Sequence, residues 1–261
     1  MRIVVCAKQV VDLAQIRMNR ETREPILSGI PLIIGDIEKN VLEEATRIKE
    51  QHKAEVIALS IGWPQPDGTI LECLGRGADR AVMLADPIFE TLSSTGVATV
   101  LAKAIEKIGD YALILLGEGS TDNNSGQVGP MVAQILGLPL VSYARQLEIV
   151  EDKVRIVKGL EDCFETAEAS LPVVVTVSAE INEPRIPTIL DVMEASSKPQ
   201  ESWSLGDIEI SREELEQHHS VKVLSNQYPE QTRKNILFQE ELGKSVDSLL
   251  QNLVKEGVLE R

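Results

Sequence analysis

The densest group of residues able to hold a ligand is Leu115-Leu116-Gly117-Glu118-Gly119-Ser120-Thr121-Asp122-Asn123-Asn124-Ser125-Gly126-Gln127-Val128-Gly129-Pro130. Gly117, Gly119, Gly126 and Gly129 allow close backbone approach and positive φ. Ser120, Thr121, Asn123, Asn124, Ser125 and Gln127 add neutral hydrogen-bonding groups. A short apolar run leads into the stretch and a helical apolar pattern leads out, so it joins a buried strand to the start of a helix. There the unpaired N–H groups and the dipole favour an anion. The chemistry this composition supports is phosphate binding by backbone and neutral side chains. A solvated Gly/Ser/Asn-rich turn has the same composition; the place at a strand's carboxyl end, where open α/β sheets hold their ligands, favours the nucleotide reading. The loop carries no Lys or Arg, so it is not the GxxxxGK[ST] loop, and the GxGxxG spacing is absent too.

Other strand ends complete the site. Cys6-Ala7-Lys8 closes the first strand and Ser60-Ile61-Gly62 the second. Lys8 is placed either to meet a phosphate or to sit in solvent. No catalytic constellation is visible. His52 falls at a helix end and His218-His219 lie in a polar tail, none beside a nucleophile motif. Cys6, Cys73 and Cys163 are far apart without a CxxC pair, which points to buried thiols, a reducing compartment and no zinc site. The expectation is a site with no catalytic side chain and no metal.

These residues need a scaffold. Ile3–Ala7, Val56–Ile61, Ala81–Leu84 and Leu113–Leu116 are short apolar runs of the kind buried on both faces of a parallel sheet. Between them, Ile37, Val41, Leu42, Ala45 and Ile48 fall on one helical face, with Asp36 placed as the cap. Val97, Val100, Leu101, Ala104, Ile105 and Ile108 repeat the pattern, with Ser93 or Ser94 as cap and Gly109 as stop. Shorter helices are expected at 69–75 and 126–136, the latter ending at Gly137. Leu147-Glu148-Ile149 and Val154-Arg155-Ile156 flank Glu151-Asp152-Lys153 as an antiparallel hairpin, and Leu171–Val177 is the strongest β-run. The fold class is therefore α/β: a mostly parallel doubly wound sheet with a β-hairpin and a C-terminal docking arm. The domain is expected to span 1–199. Residues 200–261 are polar, with helical stretches at 212–217 and 245–255; the second has Val246, Leu249, Leu250, Leu253 and Val254 on one face.

Composition narrows the function classes. The chain has 261 residues, with 26 Lys+Arg against 41 Asp+Glu and a formal charge of −15. That excludes a general nucleic-acid binder, which needs a basic footprint, but not a single nucleotide held by backbone. No apolar run reaches the ~18 residues of a membrane span, and Met1–Lys8 is too short an apolar stretch for a signal peptide, so a cytoplasmic protein is expected. Aromatics are only 3% and none lies in the loop. A flavin at this site is thus expected to lie against backbone, aliphatic side chains or another subunit.

At this point the sequence resembles the beta subunit of electron-transfer flavoproteins, from Met1 to about Pro199 with weaker echoes beyond. The resemblance rests on Val5-Cys6-Ala7-Lys8-Gln9-Val10-Val11-Asp12, Asn40-Val41-Leu42-Glu43-Glu44-Ala45, Gly77-Ala78-Asp79-Arg80-Ala81, Asp122 with Gln127-Val128-Gly129, Glu161-Asp162-Cys163-Phe164-Glu165-Thr166, Leu171-Pro172 and Asn182-Glu183-Pro184-Arg185, in order and at matching spacing. It implies an adenine-nucleotide-hydrolase-like sheet and a partner alpha subunit that carries the electron-carrying FAD. It further implies a nucleotide in the beta subunit itself: AMP in the ordinary branch, a second FAD in the bifurcating one. The implied contacts are Cys6, Ala7 and Lys8; Gly35, Asp36 and Glu38; Ile61; and the run Glu118, Gly119, Ser120, Thr121, Asp122, Asn123, Asn124, Ser125, Gly126, Gln127, Val128 and Gly129. Ile189 falls where the family has an apolar anchor for partner dehydrogenases. Gln127-Val128-Gly129-Pro130 and Trp203 look like Fix-type and bifurcating members. Asp122-Asn123-Asn124-Ser125-Gly126 departs from their Asp-Gly-Asp-Thr-Ala, and Gly35-Asp36 replaces the family's Asn-Pro. FAD and AMP both stay open.

The expected function is an electron-transfer subunit in a heterodimer. Electrons come from NADH or a dehydrogenase and leave to a quinone- or ferredoxin-linked acceptor, by bifurcation in one branch. The rivals are a stand-alone ATP/AMP-binding regulator of the universal-stress type and a nucleotide-dependent ligase or hydrolase. The hairpin and the 182–185 segment argue against the first, and the missing catalytic groups against the second.

Overall fold

Ile3, Val4 and Val5 have no exposed surface; Ile3, Val5 and Ala7 face one apolar layer, while Val4 and Cys6 face another. Burying each such side chain contributes about 1.5–3 kcal/mol, which requires cover on both faces of the strand. The computed structural model, which describes residues 1–62, 67–217, 224–229 and 234–259, supplies that cover. The elements in chain order are β1 (Arg2–Ala7), β2 (Gln9–Val11), β3 (Arg17–Met18), β4 (Pro25–Ile26), β5 (Leu32–Ile34), α1 (Asp36–His52), β6 (Glu55–Gly62), α2 (Asp67–Gly75), β7 (Arg80–Ala85), α3 (Ser94–Ile108), β8 (Leu113–Gly117), α4 (Val128–Leu136), β9 (Leu140–Val150), β10 (Lys153–Gly159), β11 (Phe164–Ser170), β12 (Val173–Val177), α5 (Ile189–Ala195), β13 (Gln200–Trp203), α6 (Arg212–Glu216) and α7 (Leu242–Lys255).

Nine strands form one sheet in the order β11-β10-β9-β12-β8-β1-β6-β7-β13. All pairs from β9 to β13 across the sheet are parallel; β10 and β11 add an antiparallel flank. Helices α1 and α2 cover one face, through Val41, Leu42, Ala45, Ile48, Ile70, Cys73 and Leu74. Helices α3 and α4 cover the other, joined by Leu205, Ile208, Ile210 and Leu215. From β1 the chain winds outward through β6 and β7, then crosses back to lay β8 on the opposite side of β1. The carboxyl ends of β1 and β8 thus flank the switch point, where doubly wound sheets leave a crevice.

The expected strands and helices are present, with several differences at their edges. Asp36 does not cap α1: Gly35 holds the cap position without a side-chain bond, and Asp36 lies inside the first turn, 2.7 Å from Lys39 Nζ. A carboxylate there is favoured by the helix dipole without cap geometry. Ser93, of the two candidates, caps α3 by accepting from Gly96 N, and Gly109 ends it at φ 62. Helix α4 begins at Val128 rather than Gly126, whose φ of 65 holds it outside the helix. The hairpin has a third strand, β11, and the sheet runs past residue 199 into β13, whose Glu201 pairs with Arg80 at 2.6 Å. Leu205, Ile208, Ile210 and Leu215 belong to the core as well. His52 ends α1 in solvent, and His218-His219 lie outside the described residues.

The step into β7 shows how a motif becomes a constraint. Gly77 has φ 116, and a Cβ there would overlap the Thr46 hydroxyl on α1. Ala78 is fully buried, and Asp79 accepts from Val56 N at 2.8 Å and from Lys49 Nζ at 2.5 Å. Gly-Ala-Asp therefore ties α1, β6 and β7 together at one corner.

Candidate functional site

A cavity of about 340 Å³ opens at the switch point. Cys6, Ala7 and Lys8 line it from the end of β1, Ile61 and Gly62 from β6, and most of the stretch from Leu116 to Gly129, without Thr121 and Asn124, from β8, its loop and α4. This size is at the lower end of ligand pockets, about 300–1,000 Å³.

The loop is shaped by its own bonds. Lys8 Nζ lies 2.7 and 2.8 Å from the two Asp122 oxygens and donates to Ser120 Oγ at 3.3 Å. Asn123 N donates to Asp122 Oδ1 at 2.9 Å, and Asn124 N to Ser120 O at 2.9 Å, with Asn124 at φ 45. This clasp pins the middle of the loop to the end of β1. Gln127 occupies the cap position of α4 and makes no side-chain capping bond. The first turn of α4, which includes Pro130 and so one N–H fewer, therefore presents Gln127, Val128 and Gly129 to the cavity with its positive dipole end uncompensated. Gly129 has to be glycine for packing: a Cβ would overlap Thr176 on β12.

Charge is distributed unevenly. Burial pushes Asp122 up, but the hydrogen bonds from Lys8 and Ser120 and the lysine's charge more than offset it, so the carboxyl is held below its ordinary value. Burial raises Glu38 to about 7, and Glu118 upward as well. Burial pushes the Cys6 thiol up to about 12, which keeps it neutral. The cavity is thus lined by one cation committed to Asp122, by the carboxyls of Glu38, Glu90 and Glu118, and by the end of a helix. The helix end suits a phosphate held by backbone N–H groups, with an apolar wall for a ring.

Most residues expected at the site come together here: Cys6, Ala7, Lys8, Glu38, Ile61, Glu118, Gly119, Ser120, Asp122, Asn123, Ser125, Gly126, Gln127, Val128 and Gly129 all line the cavity. Four do not. Gly35 lies beneath Glu38, whose Oε2 fills the space a side chain would take. Asn124 Oδ1 folds over Gly119 in the same way. Asp36 and Thr121 line a smaller cleft, about 160 Å³, with Val10–Ala14 and Ile33.

Sequence reasoning missed one wall. Phe89 and Glu90 line the cavity from the 3-10 turn Pro87–Thr91 after β7, and Leu92 from just beyond it, with Ser94, Val97 and Leu101 from α3. An aromatic ring of this chain is therefore at hand, where backbone, aliphatic side chains or another subunit were expected. The available signal was Asp86-Pro87, a capped turn at the carboxyl end of a third parallel strand, where Asp86 accepts from Ile88 N at 3.0 Å.

A second feature lies apart. Asn182 and Arg185 strap the segment before α5 onto α1. Asn40 Nδ2 donates to Asn182 O at 2.8 Å, and Asn182 Nδ2 returns to Asn40 O and Glu44 Oε2, each at 3.0 Å. Arg185 Nε lies 2.8 Å from Glu43 Oε2. Burial alone would raise Glu43, but bonds from Arg185 and Arg47 hold it below its ordinary value. Beyond this strap Ile186, Ile189, Leu190, Val192 and Met193 are 60–89% exposed. An apolar surface so strongly exposed beside a rigid strap fits an interaction surface better than isolated surface residues. Helix α7 likewise buries none of its residues; Leu242, Val246, Leu249 and Leu250 are exposed. Among the described residues there is no cluster able to hold a metal and no helix long and apolar enough to cross a membrane.

Fold and cavity define a class: a doubly wound α/β protein with a ligand-sized crevice at its switch point. The electron transfer flavoprotein domain matches residues 28–208. The electron transfer flavoprotein subunit beta of Thermoanaerobacterium thermosaccharolyticum is 34% identical over 261 residues, 99% of this chain and 100% of that protein. The subunit beta of Clostridium acetobutylicum is 35% identical over 82% of this chain and 83% of its own length. The caffeyl-CoA reductase-Etf complex subunit CarD of Acetobacterium woodii is 35% identical over 82% of each. The chain belongs to the electron transfer flavoprotein family. It is of the beta-subunit type, and its role is in electron transfer.

Proposed function

We propose that this chain is the nucleotide-holding beta subunit of a heterodimeric, cytoplasmic electron transfer flavoprotein, passing electrons between a dehydrogenase or NADH and a quinone- or ferredoxin-linked acceptor. The observation that carries the reading is the uncapped end of α4 facing a cavity between β1 and β8 in a chain of this family. The phosphate lies at Gln127–Gly129, and the ring lies toward Phe89, Val97 and Leu101. A bound flavin supplies the redox chemistry; the residues here bind, orient and exclude water. FAD is the first reading, supported by the resemblance of Gln127–Pro130 to Fix-type members. Its length exceeds the cavity, so the remainder lies against the alpha subunit. AMP is the second reading, favoured by a cavity of only about 340 Å³.

The alpha subunit covers the apolar face of α7, within an arm from 200 to 261 whose β13 joins the sheet and whose α7 buries none of its residues. The test is to co-purify the chain with its alpha subunit, record the visible spectrum and count flavins and AMP per heterodimer. Two flavins support FAD, and one flavin with one AMP supports the ordinary form. A colourless chain that ignores the alpha subunit overturns the reading.

Ile189 anchors the dehydrogenase. It is 80% exposed and sits at the first position of α5, behind the Thr188–Asp191 capping box. Ile189→Glu is expected to slow reduction of the complex by its dehydrogenase about tenfold, as for loss of an interface anchor. Heterodimer yield and flavin content stay unchanged. An unaltered rate in stopped-flow absorbance would remove Ile189 from the interface.

A further inference from the structure

Glu38 lines the cavity from the first turn of α1, yet only 4% of its surface is exposed. Its Oε2 is buried without a hydrogen-bond partner among the described residues. That oxygen lies over Gly35, in space open only because residue 35 has no side chain. A buried carboxyl oxygen without a donor is costly when ionised. The terminal torsion of Glu is soft, and Glu38 is a lining residue of the cavity, so its carboxyl can turn to meet a ligand there.

Lys8 and a backbone hydrogen bond at Glu38 itself draw the carboxyl down, but by less than burial pushes it up. Lys8, from the end of β1, is the cation nearest to hand, and both Asp122 oxygens already hold it. Asp122 from the loop and Asp36 from α1 itself add negative charge. Glu90 and Glu118 are the other carboxyls lining the cavity, and the Cys6 thiol there is neutral. A phosphate-bearing ligand brings more negative charge and expels water, and both effects disfavour an ionised Glu38.

We propose that Glu38 contacts the nucleotide as the neutral acid, donating a hydrogen bond from Oε2 to an acceptor atom of the ligand, so that nucleotide uptake draws a proton from solvent wherever Glu38 is ionised in the free site. This rests on the nucleotide reading of the cavity and adds the protonation state in which the cavity accepts its ligand. Burial already raises Glu38 to about 7 before any ligand enters, so the free site is half-protonated near neutrality. The sign follows from linkage. A group whose pKa is higher in the loaded than in the free site favours binding at low pH, and that advantage is lost as pH rises above the free-site value.

The test uses the full chain with its alpha subunit, stripped of nucleotide, and AMP as the probe in calorimetry at pH 6.5, 7.5 and 8.5. Two buffers of different ionisation enthalpy count the protons. AMP's own phosphate, whose second pKa is about 6, contributes equally to the wild type and to Glu38→Gln. Between pH 7.5 and 8.5 the wild type is expected to lose about eightfold more affinity than Glu38→Gln, and near pH 7.5 to take up most of one proton. Glu38→Gln keeps the donor and takes up none through this residue. Glu38→Ala binds more weakly at pH 6.5 and also lacks the extra slope. Equal slopes in wild type and Glu38→Gln overturn the proposal and leave the nucleotide reading standing, as does wild-type affinity that rises with pH. Absence of AMP binding, with no FAD bound instead when FAD is the probe, overturns both.

Discussion

Gln127→Glu is expected to empty the cavity of nucleotide while leaving the fold at least as stable. Gln127 lines the cavity at the uncapped start of α4. A carboxylate there sits about 6 Å from a phosphate held by the first turn. At an effective dielectric constant of about 20 the repulsion is about 2.8 kcal/mol, or about a hundredfold in affinity. The same charge is favourable to α4 itself by about 0.3–1 kcal/mol, because it meets the positive end of the helix dipole. Binding and stability therefore move in opposite directions. Nucleotide content after purification, a titration with AMP or FAD and a thermal melt of the stripped protein check both signs. Gln127→Ala separates charge from the loss of the amide and is expected to cost under tenfold. Retention of nucleotide by Gln127→Glu would place the phosphate elsewhere.

Gly77→Ala is expected to cost about 3 kcal/mol of stability and to leave the intrinsic nucleotide affinity alone. Two effects combine. At φ 116 any L side chain is strained, at about 1–3 kcal/mol. The new Cβ would also overlap Thr46, whose hydroxyl donates to Arg76 O at 3.1 Å, and overpacking costs about 1–3 kcal/mol. Removing the Thr46 hydroxyl and methyl by Thr46→Ala relieves the overlap but not the backbone strain. The double variant should therefore recover about 1 kcal/mol relative to the sum of the singles. Urea unfolding of the four proteins measures the coupling. A loss below about 1 kcal/mol in Gly77→Ala would show that the corner relaxes freely.

How far the sequence could be read depended on whether an element's apolar pattern is its own. β1 is apolar on both faces, and α1 and α3 each carry a clean stripe, so local pattern and tertiary role agree. The loop after β8 was legible because glycines, neutral polar residues and a helix start coincide at a strand end. β11 reads Phe-Glu-Thr-Ala-Glu-Ala-Ser and buries none of its residues fully; it becomes a strand only because β10 offers a partner along its whole length. β13 is equally polar and is held by β7 and the Arg80–Glu201 pair. Phe89 reaches the cavity from a turn about 30 residues before the loop in sequence. No local pattern announces that meeting, which depends on the order of strands in the sheet. The same holds for Asn124, whose side chain goes to Gly119 rather than to the cavity, and for Asp36 and Thr121, which share the neighbouring cleft.

The switch-point position of the cavity has a consequence for the order of folding. Lys8, Ile61, Phe89 and Gln127 meet only after β1, β6, β7 and β8 are aligned. Contacts that far apart in sequence close late, after their loop-closure entropy has been met by the sheet. A nucleotide then has no partly formed seat to bind and cannot guide the chain; it can only select molecules that have finished. Seated as proposed above, it would join four strand ends, and at a hundredfold excess over its dissociation constant it would add about 2.7 kcal/mol against unfolding. Such a ligand would act as a latch fitted last, and chains that lack it should be the first to reopen at these strand ends.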